Sequence, residues 1–160
     1  MDETYHLRRV ERDMPDRAEQ LAVLRAQKYL SLAMCRDNQP YLVSLNYAFS
    51  EEEHCFYVHS APEGRKLDYL RANPKVFGQV IEDRGYVVGK CAHAYRSVMF
   101  QARAEFVEAI EEKRRALSQM IDHADPDPAP LRERLVATSD LKHVVVLRLV
   151  IEWMTGKQGA

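Results

Sequence analysis

The stretch Pro40–Ser60, PYLVSLNYAFSEEEHCFYVHS, holds two apolar runs parted by an acidic turn, and its period sets the fold class. From Pro40 to Phe49 the residues alternate. Tyr41, Val43, Leu45, Tyr47 and Phe49 fall on one face, and Leu42, Ser44, Asn46 and Ala48 on the other. A period of two belongs to a strand whose two sides meet different surroundings. Ser50 to Glu53 is turn chemistry, and Cys55 to His59 reads as the next strand, with Cys55, Tyr57 and His59 on one side. Such spacing predicts a meander of antiparallel hairpins.

Upstream, Lys28 to Arg36 alternates enough for a strand and ends at the turn Asp37-Asn38-Gln39. Before it, Pro15 suits a first helical turn, and Asp16 to Gln27 is expected to be helical, with Ala18, Leu21, Ala22 and Leu24 as a loose apolar stripe. Met1 to Asp13 is charged and reads as an arm. Downstream, Gly64 to Asn73 is a short helix stopped by Asn73-Pro74, because a residue before proline disfavours helical geometry. Lys75 to Glu82 and Tyr95 to Val107 read as strands, while Asp83 to Ala94 shows no clear period. Ala109 to His123 is an amphipathic helix with Ile110, Leu117, Met120 and Ile121 buried. The breaker-rich Asp125–Pro130 follows, then a short helix, and His143 to Trp153 is a last strand with Val145, Leu147, Leu149, Ile151 and Trp153 on one face. The sum is an α+β protein, mainly β, in one domain over residues 1–160: a six-stranded antiparallel small barrel with helices at its periphery. A doubly wound nucleotide fold would need helices alternating with strands.

Charge narrows the function. The net charge is −1, with 46% apolar and 29% charged residues, so any anion site must come from local clustering. Arg8, Arg9 and Arg12 stand beside Glu3, Glu11 and Asp13, a poor tract for nucleic acid. No apolar run is long enough for a membrane span and the first residues do not resemble a signal peptide, so the cytoplasm is the expected location. Cys35, Cys55 and Cys91 are too few and scattered for a secreted disulfide framework.

The cations Arg65, Lys66, Arg71 and Lys75 lie close in sequence, and Arg65 and Lys66 fall in a helix's first turn. Free backbone N–H groups and the positive end of the helix dipole point outward there. A planar guanidinium beside a point charge suits a phosphate, and Gly64 lets one approach the backbone. An ordinary solvated helix start has the same composition. The Ser44/Asn46 face would take a flat heterocycle, with a phosphate at the helix start, as in flavin mononucleotide; the same pattern also describes a half-exposed sheet facing water. Cys91 and His93 form a Cys-x-His pair without a second pair, too little for a metal site, and no metal is expected.

Five segments carry a resemblance. QPYLVSLNYAF, FYVHSAPEGRKLDYLRANPKV, YRSVMFQARAEFVE, EEKRRAL and the closing MTGK resemble, in this order, the pyridoxamine 5′-phosphate oxidase-like split β-barrel proteins, in the branch that includes the nitroimidazole-resistance proteins. The resemblance implies a homodimer with FMN at the subunit interface. It places Ser44, Asn46 and Tyr47 along the isoalloxazine ring, His59 near the flavin and substrate, and Gly64, Arg65 and Lys66 at the phosphate. Tyr95, Arg96 and Ser97 would complete the site, and Trp153 would approach the flavin of the other subunit. Cys91 and His93 depart from the family pattern.

Function follows as two expectations. One is an FMN-dependent oxidoreductase of a small, flat, electron-accepting molecule, with NAD(P)H as donor and His59 as a catalytic proton donor or a structural strand end. The other is a non-catalytic binding protein of the same fold for haem or another flavin, with His59, His93 or His143 as a haem ligand.

Overall fold

The computed structural model describes residues 9–137 and 140–160. Its strands are β1 (Tyr29–Arg36), β2 (Gln39–Asn46), β3 (Ala48–Ser50), β4 (Cys55–Ser60), β5 (Lys75–Val87), β6 (Ala92–Phe106) and β7 (Val145–Gly159). The helices are α1 (Arg17–Ala26), α2 (Arg65–Ala72), α3 (Ile110–Ala124) and α4 (Pro128–Arg132). All strands pair antiparallel in one sheet, in the order β2-β1-β5-β6-β7-β4-β3. Only Tyr47 separates β2 from β3, yet they occupy opposite edges of that order. The sheet must therefore curl until its edges approach, which makes a split barrel.

The sheet has seven strands where six were expected, and Tyr47 is the reason. Tyr47 and its neighbour Ala48 are both buried, so alternation fails there and the expected single strand breaks in two. Tyr47 is 1% exposed, its ring packs 5.4 Å from Phe56, and its hydroxyl donates to the Leu24 carbonyl at 2.8 Å. Burial raises its pKa, so the phenol stays protonated.

The barrel interior is filled by Leu30, Leu32, Phe56, Val58, Val80, Val98, Phe100 and Leu149, with Val23 and Leu24 of α1 joining them. Each fully buried large side chain contributes roughly 1.5–3 kcal/mol of transfer free energy. Phe56 stacks on Phe100 at 4.3 Å, and Phe100 lies over Gly78, where a Cβ would come within 2.0 Å of its ring. The α1 stripe differs from expectation: Gln20, Leu21, Val23 and Leu24 are buried, while Ala18 and Ala22 are exposed. Asp16 caps this helix, its side chain accepting from the Ala18 N–H at 2.8 Å. The arm is partly docked: Val10–Arg12 forms a 3₁₀ turn, and the Asp13 backbone pairs with that of Lys157 in an isolated antiparallel β-bridge. Arg8 and the residues before it lie outside the described residues.

The segment that showed no period, Asp83 to Ala94, continues β5 and β6 into a long hairpin. It bends at an irregularity between Asp83 and Tyr86 and turns near Gly89, whose φ is +79°. Tyr86, Val88 and His93 are exposed, so the hairpin has no buried face to impose alternation. β7 runs past Trp153 to Gly159, and a bulge changes its phase: Ala102 faces Ile151, but Gln101 faces Trp153. That extra residue moves Trp153 off the core face of Ile151 and onto the outside of the barrel.

Helix α3 covers the outer side of β4 and β7. Ala116 and Met120 pack with Cys55, Tyr57 and Val146. Ile110, expected inside, is 44% exposed. The Tyr57 hydroxyl lies 2.9 Å from Glu53 Oε2 and 3.0 Å from Glu112 Oε1, and Arg148 bridges Glu112 and Glu105. Burial lifts the Cys55 thiol to about 11, leaving it unreactive. Cys35, Cys55 and Cys91 are free thiols.

Candidate functional site

The β4–α2 junction brings a histidine, a glycine and two cations together. β4 carries His59 past the cover of α3 to the surface, where its ring is still partly screened from water. Gly64 then caps α2 with φ 137° and ψ 160°, a backbone state open almost only to glycine. Its carbonyl accepts from the Leu67 N–H at 2.9 Å, and a Cβ built on it would meet nothing within 4 Å. The space over this backbone is open, and the first N–H groups of α2 have no intrahelical acceptor.

The two cations differ. Lys66 is half-buried and has no ion-pair partner among the described residues; burial lowers its pKa. His59 is lowered as well, chiefly by desolvation and then by the Lys66 ammonium, so the imidazole is neutral at pH 7. Arg65 is exposed and lies against two aromatic rings, its guanidinium carbon 4.7 Å from the centre of Tyr41 and 5.4 Å from that of Tyr69. Its Nη2 donates to the Tyr69 hydroxyl at 3.2 Å. Arg71 faces elsewhere, paired with Asp68 at 3.5 Å and set over Phe106. Lys75 opens β5.

Ser44 and Asn46 lie on the exposed side of β2, as their alternation indicated. Asn46 Nδ2 donates to the Lys28 carbonyl at 3.3 Å, which leaves Oδ1 able to accept. Register extends this face across the sheet: Ser44 pairs with Ser31, Ser31 with Gln79, Gln79 with Met99 and Met99 with Thr155. Paired residues point to the same side, so one broad outer face runs from β2 to β7. Among its polar residues it exposes large apolar side chains, with Tyr29 64%, Leu42 63%, Ile81 53% and Phe77 43% exposed. Trp153 joins it, 6.3 Å from Phe77. Simple alternation hid Trp153 from this face, because the bulge that moves it is a product of pairing.

The other expected residues form a second group. Tyr95 and Ser97 sit on β6, Ser97 three strand spacings from β2, roughly 14 Å at the ordinary inter-strand distance. Tyr95 lies over Gly159, where a Cβ would come within 2.5 Å of its ring. Arg96 is engaged by Glu82 through two hydrogen bonds, at 2.6 and 3.1 Å. Ser97 is buried and its hydroxyl points at the Lys157 carbonyl at 3.5 Å. Tyr95 and Arg96 line a cleft of about 410 Å³ with Arg12, Arg84 and Gln158. Within one chain, Ser44, Asn46, His59, Gly64, Arg65 and Lys66 thus stand apart from Tyr95, Arg96, Ser97 and Trp153, while the Tyr47 side chain belongs to the core. Cys91 and His93 lie on the hairpin, His93 5.6 Å from the Tyr86 ring. Among the described residues no group of three His, Cys, Asp or Glu side chains is placed to hold a metal, and no helix is long and apolar enough to cross a membrane.

Two site neighbours were not singled out in the sequence, Tyr41 and Tyr69. Tyr69 stands four residues after Arg65, a helical spacing that carries a legible signal. Tyr41 carries none, since only the fold brings β2 beside α2.

Known proteins share this architecture. A solved structure from Bacteroides thetaiotaomicron, described as a candidate 5-nitroimidazole antibiotic resistance protein, is 26% identical with a TM-score of 0.77, covering 91% of this chain and 86% of that one. A FAD-binding protein from Mesorhizobium loti is 29% identical with a TM-score of 0.63, covering 91% of this chain and 96% of that one. A flavocytochrome from Azotobacter vinelandii shares the fold at 21% identity and a TM-score of 0.80, over 100% of this chain and 75% of that one. An uncharacterized protein of Rhizobium meliloti (strain 1021) is 44% identical over 66 residues, 41% of this chain and 42% of that protein's length. Residues 16–158 match the family model described as pyridoxamine 5′-phosphate oxidase. With a match over nearly the whole sequence and the barrel already built from its residues, this chain belongs to the pyridoxamine 5′-phosphate oxidase family.

Proposed function

We propose that this protein binds FMN between two copies of itself and acts as an oxidoreductase on small, flat, electron-accepting molecules. The observation that carries the reading is Lys66, a half-buried ammonium without a carboxylate, beside the open backbone of Gly64. Holding a charge half out of water without a partner is unfavourable, and a phosphate dianion would offset that cost. The donor set fits the group: the first-turn N–H groups of α2, Lys66 Nζ and the free N–H edges of Arg65. Ser44 Oγ and Asn46 Oδ1 would meet the polar edge of a ring lying on the exposed side of β2.

When bound, FMN supplies the redox chemistry between a reduced nicotinamide and the acceptor. The chain's own groups bind, orient and exclude water. The neutral imidazole of His59, at the rim beside Lys66, can hold a proton on one nitrogen and pass it to an acceptor that gains negative charge. A second copy completes the picture. The two half-sites are too far apart in one chain to touch one ring edge together, and an exposed apolar face lies between them. A patch of that kind marks an association surface, and a twofold axis would bring one copy's Tyr95–Ser97 and Trp153 toward its partner's Lys66. The similarity to a FAD-binding protein and to a candidate nitroimidazole-resistance protein supports a flavin and a flat acceptor.

The test is the visible spectrum of the purified protein before and after addition of FMN or haem, with mass spectrometry of the released ligand. A two-banded flavin spectrum with FMN released is expected. A Soret band, or a protein that takes up no flavin, would overturn the reading.

A further inference from the structure

Arg65 is the first residue of α2 and is exposed, a position at which an arginine ordinarily samples many rotamers. Here it does not stand free. Its guanidinium lies against Tyr41 and Tyr69 at 4.7 and 5.4 Å and gives one N–H to the Tyr69 hydroxyl at 3.2 Å. The rings are 5.2 Å apart and inclined by 54°, forming a two-walled corner. Tyr69 is 7% exposed and rooted in the core, and Tyr41 is half-buried on β2, so neither wall moves freely.

We propose that Tyr41 and Tyr69 are positioning residues for phosphate recognition: they clamp the Arg65 guanidinium in the orientation that meets the cofactor's phosphate. The proposal rests on the FMN reading above and deepens it. Arginine has five N–H donors in a fixed fork, and the Tyr69 hydroxyl takes one. The others remain for a phosphate, and the rotamer entropy normally lost on binding is already lost in the free protein. Cation–π contact with both rings holds the plane of the fork without using its donors. The clamp also ties helix to strand. Tyr41 belongs to the strand that carries Ser44, so the group meeting the phosphate and the surface meeting the ring are held at a set separation. A free arginine at the helix start would grip a phosphate on many ligands. A fixed one selects a phosphate at one distance from the ring.

The experiment compares FMN with riboflavin, which carries the same ring and no phosphate. Affinities are measured by fluorescence quenching for the wild type, Tyr69→Phe and Tyr41→Leu, each also in an Arg65→Ala background. Tyr69→Phe keeps the ring and its packing and removes only the acceptor oxygen. The clamp predicts FMN binding about three- to tenfold weaker in each variant, because the arginine's rotamer entropy must then be lost on binding. Riboflavin affinity is expected to stay level, and neither tyrosine change should matter once Arg65 is alanine. Apo melting temperatures identify any variant that is simply misfolded, and Tyr69→Phe then carries the test alone. An unchanged FMN-to-riboflavin preference in folded variants, or an equal loss for both flavins, would overturn the clamp and leave the FMN reading standing. A wild type that binds neither flavin would overturn the FMN reading and the clamp with it.

Discussion

Replacing Lys66 with methionine should weaken FMN binding and leave the free protein as stable or more so, and the opposed signs are the point. In the free protein the Lys66 ammonium is half-buried and has no counter-charge among the described residues, and its pKa is lowered by burial. A base with a lowered pKa in the folded state binds fewer protons there than in the unfolded chain. Stability therefore rises as pH climbs through its folded pKa toward the unfolded value, and the charged form costs stability below that window. Methionine removes the charge and keeps the stem. A gain of up to about 1 kcal/mol would appear as about 2–4 °C in the melting temperature of a domain this size. The bound state has the other sign. Losing a charge-assisted hydrogen bond costs about 1.5–3 kcal/mol, roughly a 10- to 150-fold weaker Kd. Fluorescence titration with FMN and riboflavin, run beside calorimetry of the free protein, measures both. FMN affinity of the wild type should fall as pH rises through the Lys66 pKa, and the methionine variant should show no such fall. If Lys66→Met binds FMN within about twofold of wild type, or loses riboflavin equally, the phosphate grip is refuted. A clear drop in the free protein's melting temperature would refute the claim that the charge is a cost.

Gly64→Ala should destabilise by about 1–3 kcal/mol through backbone strain alone, since its φ is +137° and the new methyl meets nothing within 4 Å; a calorimetric change near zero would contradict it. An NMR titration should place the His59 midpoint below the ordinary value of about 6.5, so its neutral form favours folding and stability falls as pH drops through that window. Inorganic phosphate or FMN should raise that midpoint, and Lys66→Met should raise it only partly, because burial is the larger cause. A midpoint unmoved by any of these would show that Lys66 and His59 do not share a site. Phe77→Asp with Ile81→Asp puts two carboxylates on the exposed apolar face and should shift a dimer to monomer in sedimentation, with loss of FMN affinity. A doubly substituted dimer that still binds FMN would place the interface elsewhere.

What the residues alone determined is what depends on near neighbours. The period-two run from Pro40 to Asn46, the stop at Asn73-Pro74 and the cationic turn after Gly64 are local, and each appears where its sequence places it. Such features follow from steric limits on φ and ψ and from which side chains face water. Tertiary structure decided whatever depends on pairing partners. Tyr47 breaks a strand because the barrel closes over it, and Tyr57 is covered because α3 folds back across β4. The Asp83–Ala94 hairpin gave no periodic signal because it has no buried face, and Trp153 changed sides because β7 holds one residue more than β6 opposite it. The corner of Tyr41, Arg65 and Tyr69 joins Tyr41 to two residues more than twenty positions further along. Contacts of that range are set by register and closure, which emerge only when all the strands satisfy their hydrogen bonds together.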